Sequence, residues 1–305
     1  MFNFFGPKIF NSGYLPEEDG HKIYFFEAGN PDGEPVLFFH GGPGGSAKLK
    51  HADGFNKRKY RMILFDQRGC NNSLPVGKIE GNTSWKLVND AERLLDHLGV
   101  RDKVILRGSS WGSTLALLFA IKNPQKVKSM LLSQIFLANE MSRKWEEEQS
   151  GLFYPDILER LYEKKNGSKS LSDSFASMIN FGDMTEQVSA AVLYSGYERV
   201  LGEFKPKLEL TDLDADDIAK SKIYINYAAQ KFMLEDDYIL QHIENIKNIP
   251  TLIVHNRLDM VCPLKGAYDL HQNMPNSKLV IVPDIGHCSK KLYKFLKKEI
   301  KLFLR

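Results

Sequence analysis

Residues 108–112 read Gly-Ser-Ser-Trp-Gly and begin one residue after the apolar run Val104-Ile105-Leu106. A buried strand that passes through Gly-x-Ser-x-Gly into a helix must turn so tightly that the neighbours of the serine are small, which leaves the serine exposed at the tip. Gly108 and Gly112 meet that demand. The stretch Ser113-Thr-Leu-Ala-Leu-Leu-Phe-Ala-Ile-Lys122 supplies the helix, whose positive N-terminal end faces any oxyanion formed beside Ser110. By itself the five-residue pattern arises by chance roughly once in ten chains of this length. Its context, a strand before and a helix after, is what constrains the fold.

That context extends along the first 135 residues. Short apolar runs at Ile23–Phe26, Val36–Phe39, Met62–Phe65, Val104–Leu106 and Lys128–Leu132 read as strands buried in a sheet. Between them, Leu87, Ala91, Leu94, Leu95 and Leu98 recur at helical spacing behind Ser84 as the cap, and Gly99 ends that helix. Alternation of this kind predicts an α/β fold with a mostly parallel sheet and helices on both faces. From 136 to 245 strand-like runs vanish. Helical patterns over 143–149, 157–165 and 216–234, separated by Gly-Ser and Gly-Asp pairs, predict a helical insertion. Strand character returns at Thr251–Val254 and Leu279–Val282. The core is therefore expected at 1–135 and 246–305, with 136–245 as a cap domain. At the end, Leu292, Phe295, Leu296, Ile300, Phe303 and Leu304 form one apolar helical face opposite a row of lysines, which predicts a surface helix packed on the sheet rather than a membrane-bound one.

A net charge of +3 points to neither nucleic acid nor a membrane as partner. Three widely spaced cysteines, Cys70, Cys262 and Cys288, make no disulfide framework and fit a reducing, cytoplasmic compartment. The first seven residues lack the basic then apolar order of a signal peptide, and no apolar run is long enough to span a bilayer.

A serine hydroxyl needs a base to take its proton and an acid to orient that base. In a strand–elbow–helix architecture the acid and then the histidine follow the serine in the chain. Asp259 lies in the loop after the Thr251–Val254 strand, and His287 in the loop after Leu279–Val282, so both fall where strand ends of a parallel sheet converge. Asp284 is the competing acid. His255 reads as structural, and His40 as a fastener of the glycine loop that it opens. That loop, Gly41-Gly42-Pro43-Gly44-Gly45, lacks the Gly-Lys-Ser/Thr of a phosphate loop and the spacing of a dinucleotide fingerprint. Its glycines let backbone N–H groups approach a substrate carbonyl, with Gly42 as one oxyanion donor and Trp111, the residue after the serine, as the other. There is no His-x-x-x-His or Cys-x-x-Cys pair, so neither metal nor cofactor is expected.

Several blocks in order, His40-Gly-Gly-Pro-Gly-Gly45, Asp66-Gln-Arg-Gly-Cys70, Asn82-Thr-Ser-Trp85, Ser110-Trp-Gly-Ser-Thr-Leu-Ala-Leu117 and Asp259-Met-Val-Cys-Pro263, resemble the proline iminopeptidase family of the α/β-hydrolase fold. The resemblance spans about 12–135 and 245–290. It implies a triad of Ser110, Asp259 and His287, and release of an N-terminal proline from small peptides with a free N-terminus by a monomer or small homo-oligomer. It also implies a substrate pocket that includes Gly41, Phe136 and Cys262, and a cap whose glutamates bind the α-amino group. Glu198 matches one of these glutamates. At the second the chain has Tyr224, and Glu146 to Glu148 or Asp183 are the acids available to compensate. Asn139 stands where the family has arginine, and Asn71-Asn72-Ser73 where it has Gly-Arg-Ser. These departures keep open an esterase or amidase with a divergent cap; against a third reading, a silent hydrolase-fold binding protein, stand the intact nucleophile, acid, base and oxyanion loop.

Overall fold

A computed structural model of the chain describes residues 8–167, 169–204 and 214–305. The segment on which the signal-peptide reading rests, residues 1–7, lies outside the described residues, as does Ser168 of the first Gly-Ser pair. Among the described residues eight strands form one sheet: β1 (Ile9–Tyr14), β2 (Tyr24–Gly29), β3 (Glu34–Phe39), β4 (Tyr60–Phe65), β5 (Val104–Ser109), β6 (Val127–Ser133), β7 (Thr251–Asn256) and β8 (Ser277–Val282). Their order is β1-β2-β4-β3-β5-β6-β7-β8. β2 pairs antiparallel with both of its neighbours, whereas the pairs from β4 through β8 are all parallel.

The apolar runs are continuous because both faces of the sheet are covered. Leu37, Phe39, Ile63, Phe65, Val104 and Leu106 enter the core on one side. Their alternates Val36, Phe38, Met62, Leu64 and Ile105 enter the core on the other. On the first side lie helices α1 (Ser84–His97) and α2 (Trp111–Lys122). Between β6 and β7 the regular elements among the described residues are all helical: α3 (Glu140–Glu147), α4 (Pro155–Tyr162), α5 (Leu171–Phe181), α6 (Met184–Glu203), α7 (Ala215–Ala229) and the short α8 (Tyr238–Gln241), with 3-10 turns. This is a helical cap inserted between core strands. Helix α9 (Leu264–Gln272) links β7 to β8, and α10 (Lys290–Phe303) buries Leu292, Leu296 and Ile300 against the second face, so its apolar stripe is a sheet contact. No helix among the described residues is long and apolar enough to cross a membrane.

Several local expectations are corrected. Thr83, not Ser84, caps α1, accepting the N–H of Lys86, while the Ser84 hydroxyl donates to the Phe232 carbonyl. Helix α3 begins earlier than the apolar spacing suggests because Asn139 caps it through the N–H of Ser142 at 3.1 Å. The stretch expected as one helix over 216–234 stops at Ala229. Lys231, Phe232 and Met233 then take positive φ, and Phe232 is carried into an aromatic cluster with Trp111 and Phe136. Burial of that ring outweighs local helix propensity. Strand β1 gives no apolar signal because it is an edge strand with its side chains largely exposed.

Candidate active site

The parallel strands bring six loops to one edge of the sheet, those after β3, β4, β5, β6, β7 and β8. β5 occupies the middle, with Gly108 beside Phe39 of β3 and Ser109 beside Ser133 of β6. Ser110 follows with φ 55° and ψ −131°, a conformation disfavoured for any residue with a Cβ. Its N–H donates to the Ser133 carbonyl at 3.1 Å, and its own carbonyl accepts from the N–H and the hydroxyl of Ser113, both at 2.7 Å. The flanking glycines have a steric cause. A Cβ on Gly108 would lie 2.1 Å from the Gly112 carbonyl oxygen, and one on Gly112 would lie 2.1 Å from that of Phe39. The elbow is as tight as the sequence requires.

Asp259 and His287 meet as the strand endings predict. The His287 Nδ1 lies 2.9 and 2.8 Å from the two carboxylate oxygens of Asp259, which is 4% exposed. Asp259 also accepts the N–H groups of Val261 (3.1 Å) and Cys262 (2.8 Å), which fix its plane. With Nδ1–H donated to the carboxylate, Nε2 is left for the site. Burial opposes charge on His287, but Asp259 outweighs it and holds the imidazole well above its ordinary range. Asp284, the competing acid, is exposed and has no bond to His287.

Ser110 Oγ lies 3.9 Å from Cys262 Sγ, a buried thiol that also touches His287. No Ser110–His287 hydrogen bond forms among the described residues, a separation common before substrate binds. Asp259, Cys262 and His287 offer three ligand atoms within 4.8 Å of one another. Asp259, however, is committed to His287 and two backbone N–H groups, which makes it a poor metal donor.

The glycine loop is held as expected of His40, whose Nδ1 donates to the Gly41 carbonyl at 2.8 Å while Nε2 accepts the Gln67 N–H at 3.0 Å. The Asp66-Gln67-Arg68 block supplies further fasteners. Asp66 accepts from Ala47 N–H at 2.8 Å, and Gln67 bridges the His40 carbonyl (2.9 Å) and the Trp111 indole (3.0 Å). Arg68 is locked on Asp90 at 2.7 and 2.9 Å. Gly41 approaches the nucleophile closely: a Cβ there would be 3.5 Å from that of Ser110. Gly42 has φ 128°, open to glycine. Trp111 is the first residue of α2, so its N–H has no partner within the helix. His255 proves structural, accepting from Ile135 N–H at 3.0 Å and donating to the Cys262 carbonyl at 2.8 Å.

Two cavities meet at Glu198. One of about 230 Å³ is lined by Gly42, Gly44, Tyr194, Glu198 and Tyr224. The other, of about 480 Å³, contains Gly41, Gly42, Ser110, Glu198 and His287. Glu198 is half-buried, and its carboxylate has no hydrogen-bond or ion-pair partner among the described residues. Burial raises its pKa, and the charge of His287 works the other way. Behind Tyr224 stands Glu146 of α3, which accepts the phenol of Tyr224 at 2.7 Å and that of Tyr194 at 3.4 Å. Its carboxyl is pushed up to about 8, chiefly by burial. Of the acids named as compensators, Glu147 instead binds the Ser172 N–H, Asp183 caps α6, and Glu148 is exposed. Phe136 and Cys262 line neither cavity: Phe136 stacks edge-on to Phe232 at 4.9 Å and binds Ser113 and Thr114 through its backbone. Gln134, which no sequence signal marks, accepts the Ser109 hydroxyl and donates to the His287 carbonyl, both at 2.6 Å.

The α/β-hydrolase fold family matches residues 34–291. The chain is 38% identical to the proline iminopeptidase of Arabidopsis thaliana over 91% of its own length and 75% of that protein. The chain belongs to the proline iminopeptidase family. The enzyme of that name from Neisseria gonorrhoeae is 36% identical, with 92% of this chain and 91% of the relative covered. Among solved structures, an esterase from Exiguobacterium antarcticum superposes with a TM-score of 0.65 at 20% identity, covering 96% and 99% of the two chains, a likeness of fold. The chain is thus a serine hydrolase of the α/β-hydrolase fold and of the proline-iminopeptidase type.

Proposed function

We propose that this enzyme releases proline from the N-terminus of peptides, with residues 136–245 as a cap over a core of 1–135 and 246–305. Ser110 Oγ attacks the carbonyl carbon of the first residue while His287 Nε2 takes its proton. The Gly42 and Trp111 N–H groups receive the oxyanion. The protonated His287, oriented by Asp259, gives its proton to the departing amine as the C–N bond breaks, and water then hydrolyses the acyl-enzyme by the same route in reverse. Glu198 holds the substrate ammonium, with Tyr224 beside it and Glu146 orienting that phenol. The single observation that carries this reading is Glu198, an unpaired carboxylate that lines both cavities and shares the larger one with Ser110 and His287. An ammonium there gains a charge-assisted bond that a blocked amine cannot make. Unpaired cysteines support a reducing, cytoplasmic setting.

The test is hydrolysis of proline β-naphthylamide, its N-acetyl form and a short-chain p-nitrophenyl ester, by wild type and by Ser110→Ala. Cleavage confined to the free-amine amide, and lost in the variant, is expected. Ester cleavage with little proline amide turnover would instead favour an esterase, the reading that Tyr224 in place of a carboxylate supports.

A further inference from the structure

The larger cavity does not end at the catalytic serine. From Ser110 and His287 it runs to Lys50, Arg107, Lys290 and Tyr293. Arg107 stands on the same face of β5 as Ser109, three residues before Ser110, and is only 7% exposed. Its Nη1 donates to the His51 carbonyl, and the guanidinium lies 5.6 Å from the ring centroids of Phe38 and Phe55. No carboxylate among the described residues forms an ion pair with it. The acid that influences it, Asp53, is paired with Lys297 at 3.0 Å. Burial without a counter-charge pulls Arg107 down to about 10. The neighbouring cations are unmatched as well: neither Lys50, whose Nζ lies 5.6 Å from the Tyr293 ring centroid, nor Lys290 has an ion-pair partner among the described residues. His51, at the same end, is held neutral, with its pKa at about 3, by burial and by Arg107. A buried guanidinium without a carboxylate, lining a cavity that opens on the nucleophile, has the charge and placement to bind an anion there.

We propose that this cationic pocket receives the free C-terminal carboxylate of the substrate, so that the preferred substrates are di- and tripeptides with both ends charged. The proposal rests on the peptidase reading above and adds the length and the far end of the substrate. The distances agree. Three residues of strand separate the Arg107 and Ser110 backbones by roughly 10 Å. A carboxylate one or two residues beyond the scissile bond lies about 4–7 Å from it, and the arginine side chain spans the remainder. Glu198 and the cations Arg107, Lys50 and Lys290 line the same cavity as Ser110, which gives that cavity both of the charges needed to match the two ends of a short peptide. A volume of about 480 Å³ is in the range of small-molecule sites.

The experiment compares kcat/KM for a proline-headed tripeptide with a free C-terminus against its C-terminal amide, with proline β-naphthylamide as a reference. One charge-assisted contact predicts an acid-to-amide ratio of about ten- to a hundredfold in the wild type. The ratio should shrink as salt rises and fall toward one in Arg107→Gln. Because Arg107 is buried and its variant can fail to fold, the exposed pair Lys50→Ala/Lys290→Ala is measured as well, with a severalfold fall expected. A wild type that cleaves the naphthylamide but shows a ratio near one overturns the pocket and leaves the peptidase reading intact. The same holds for a folded variant that keeps the full ratio. A wild type that cleaves no free-amine proline compound overturns both.

Discussion

Replacing Glu146 with glutamine tests the buried carboxyl behind Tyr224 through stability, independently of catalysis. In the folded chain this carboxyl sits at about 8, against 4.5 for a free glutamate, and burial is the main cause. The folded state therefore holds a proton that the unfolded chain releases, so stability is greatest below the unfolded value and falls as pH rises from about 4.5 to about 8. At about 1.4 kcal/mol per unit, the full linkage would be roughly 5 kcal/mol. Glu146 keeps some contact with solvent and accepts two phenols, both of which moderate the loss, so about 2 kcal/mol is the figure to test. Glutamine mimics the protonated carboxyl and does not titrate. Melting followed by near-ultraviolet circular dichroism at pH 5 to 9 should give matching Tm values for wild type and Glu146→Gln at the acid end. The variant should gain roughly 3 °C over wild type by pH 9. A Tm difference that stays flat across this range would refute the reasoning, because it would mean that Glu146 titrates as an exposed carboxylate does.

Two further outcomes concern the elbow and the base. Gly112→Ala forces a Cβ to within 2.1 Å of the Phe39 carbonyl and should cost more than about 3 kcal/mol, or prevent folding, in a denaturant titration. Because Asp259 raises the His287 pKa and only neutral imidazole accepts the serine proton, kcat/KM should rise with pH along a limb centred above 6.5. Asp259→Asn should lower kcat by roughly a thousandfold or more and move that limb to lower pH. A limb that stays in place in this variant would mean that another group controls it.

Much of this was legible because the chemistry is encoded locally. The elbow needs two glycines at fixed offsets, and the strand endings before Asp259 and His287 are short apolar runs followed by polar loops. What escaped reading depends on partners distant in sequence. Gln134 gains its role only when β6 lies between β5 and the His287 loop. Glu146 was one of several acids in an ordinary helical stretch, and packing alone sets it behind Tyr224. Arg107 stands between the apolar run Val104–Leu106 and the elbow glycine Gly108, and its lack of a counter-charge is visible only once the cavity is closed around it. Phe232 broke a helix that propensity favoured because its ring had an aromatic socket waiting on the core.

The cap is fastened to the core at two telling places. Trp145 of α3 donates its indole N–H to the Met260 carbonyl at 2.6 Å, and the Cys288 N–H donates to the Gly202 carbonyl of α6 at 3.0 Å. One anchor is the residue after Asp259, the other the residue after His287. The cap therefore acts as a splint for the loops that carry Asp259 and His287. On heating, activity should disappear in step with the loosening of the cap helices, because the loops that must stay aligned are braced by them.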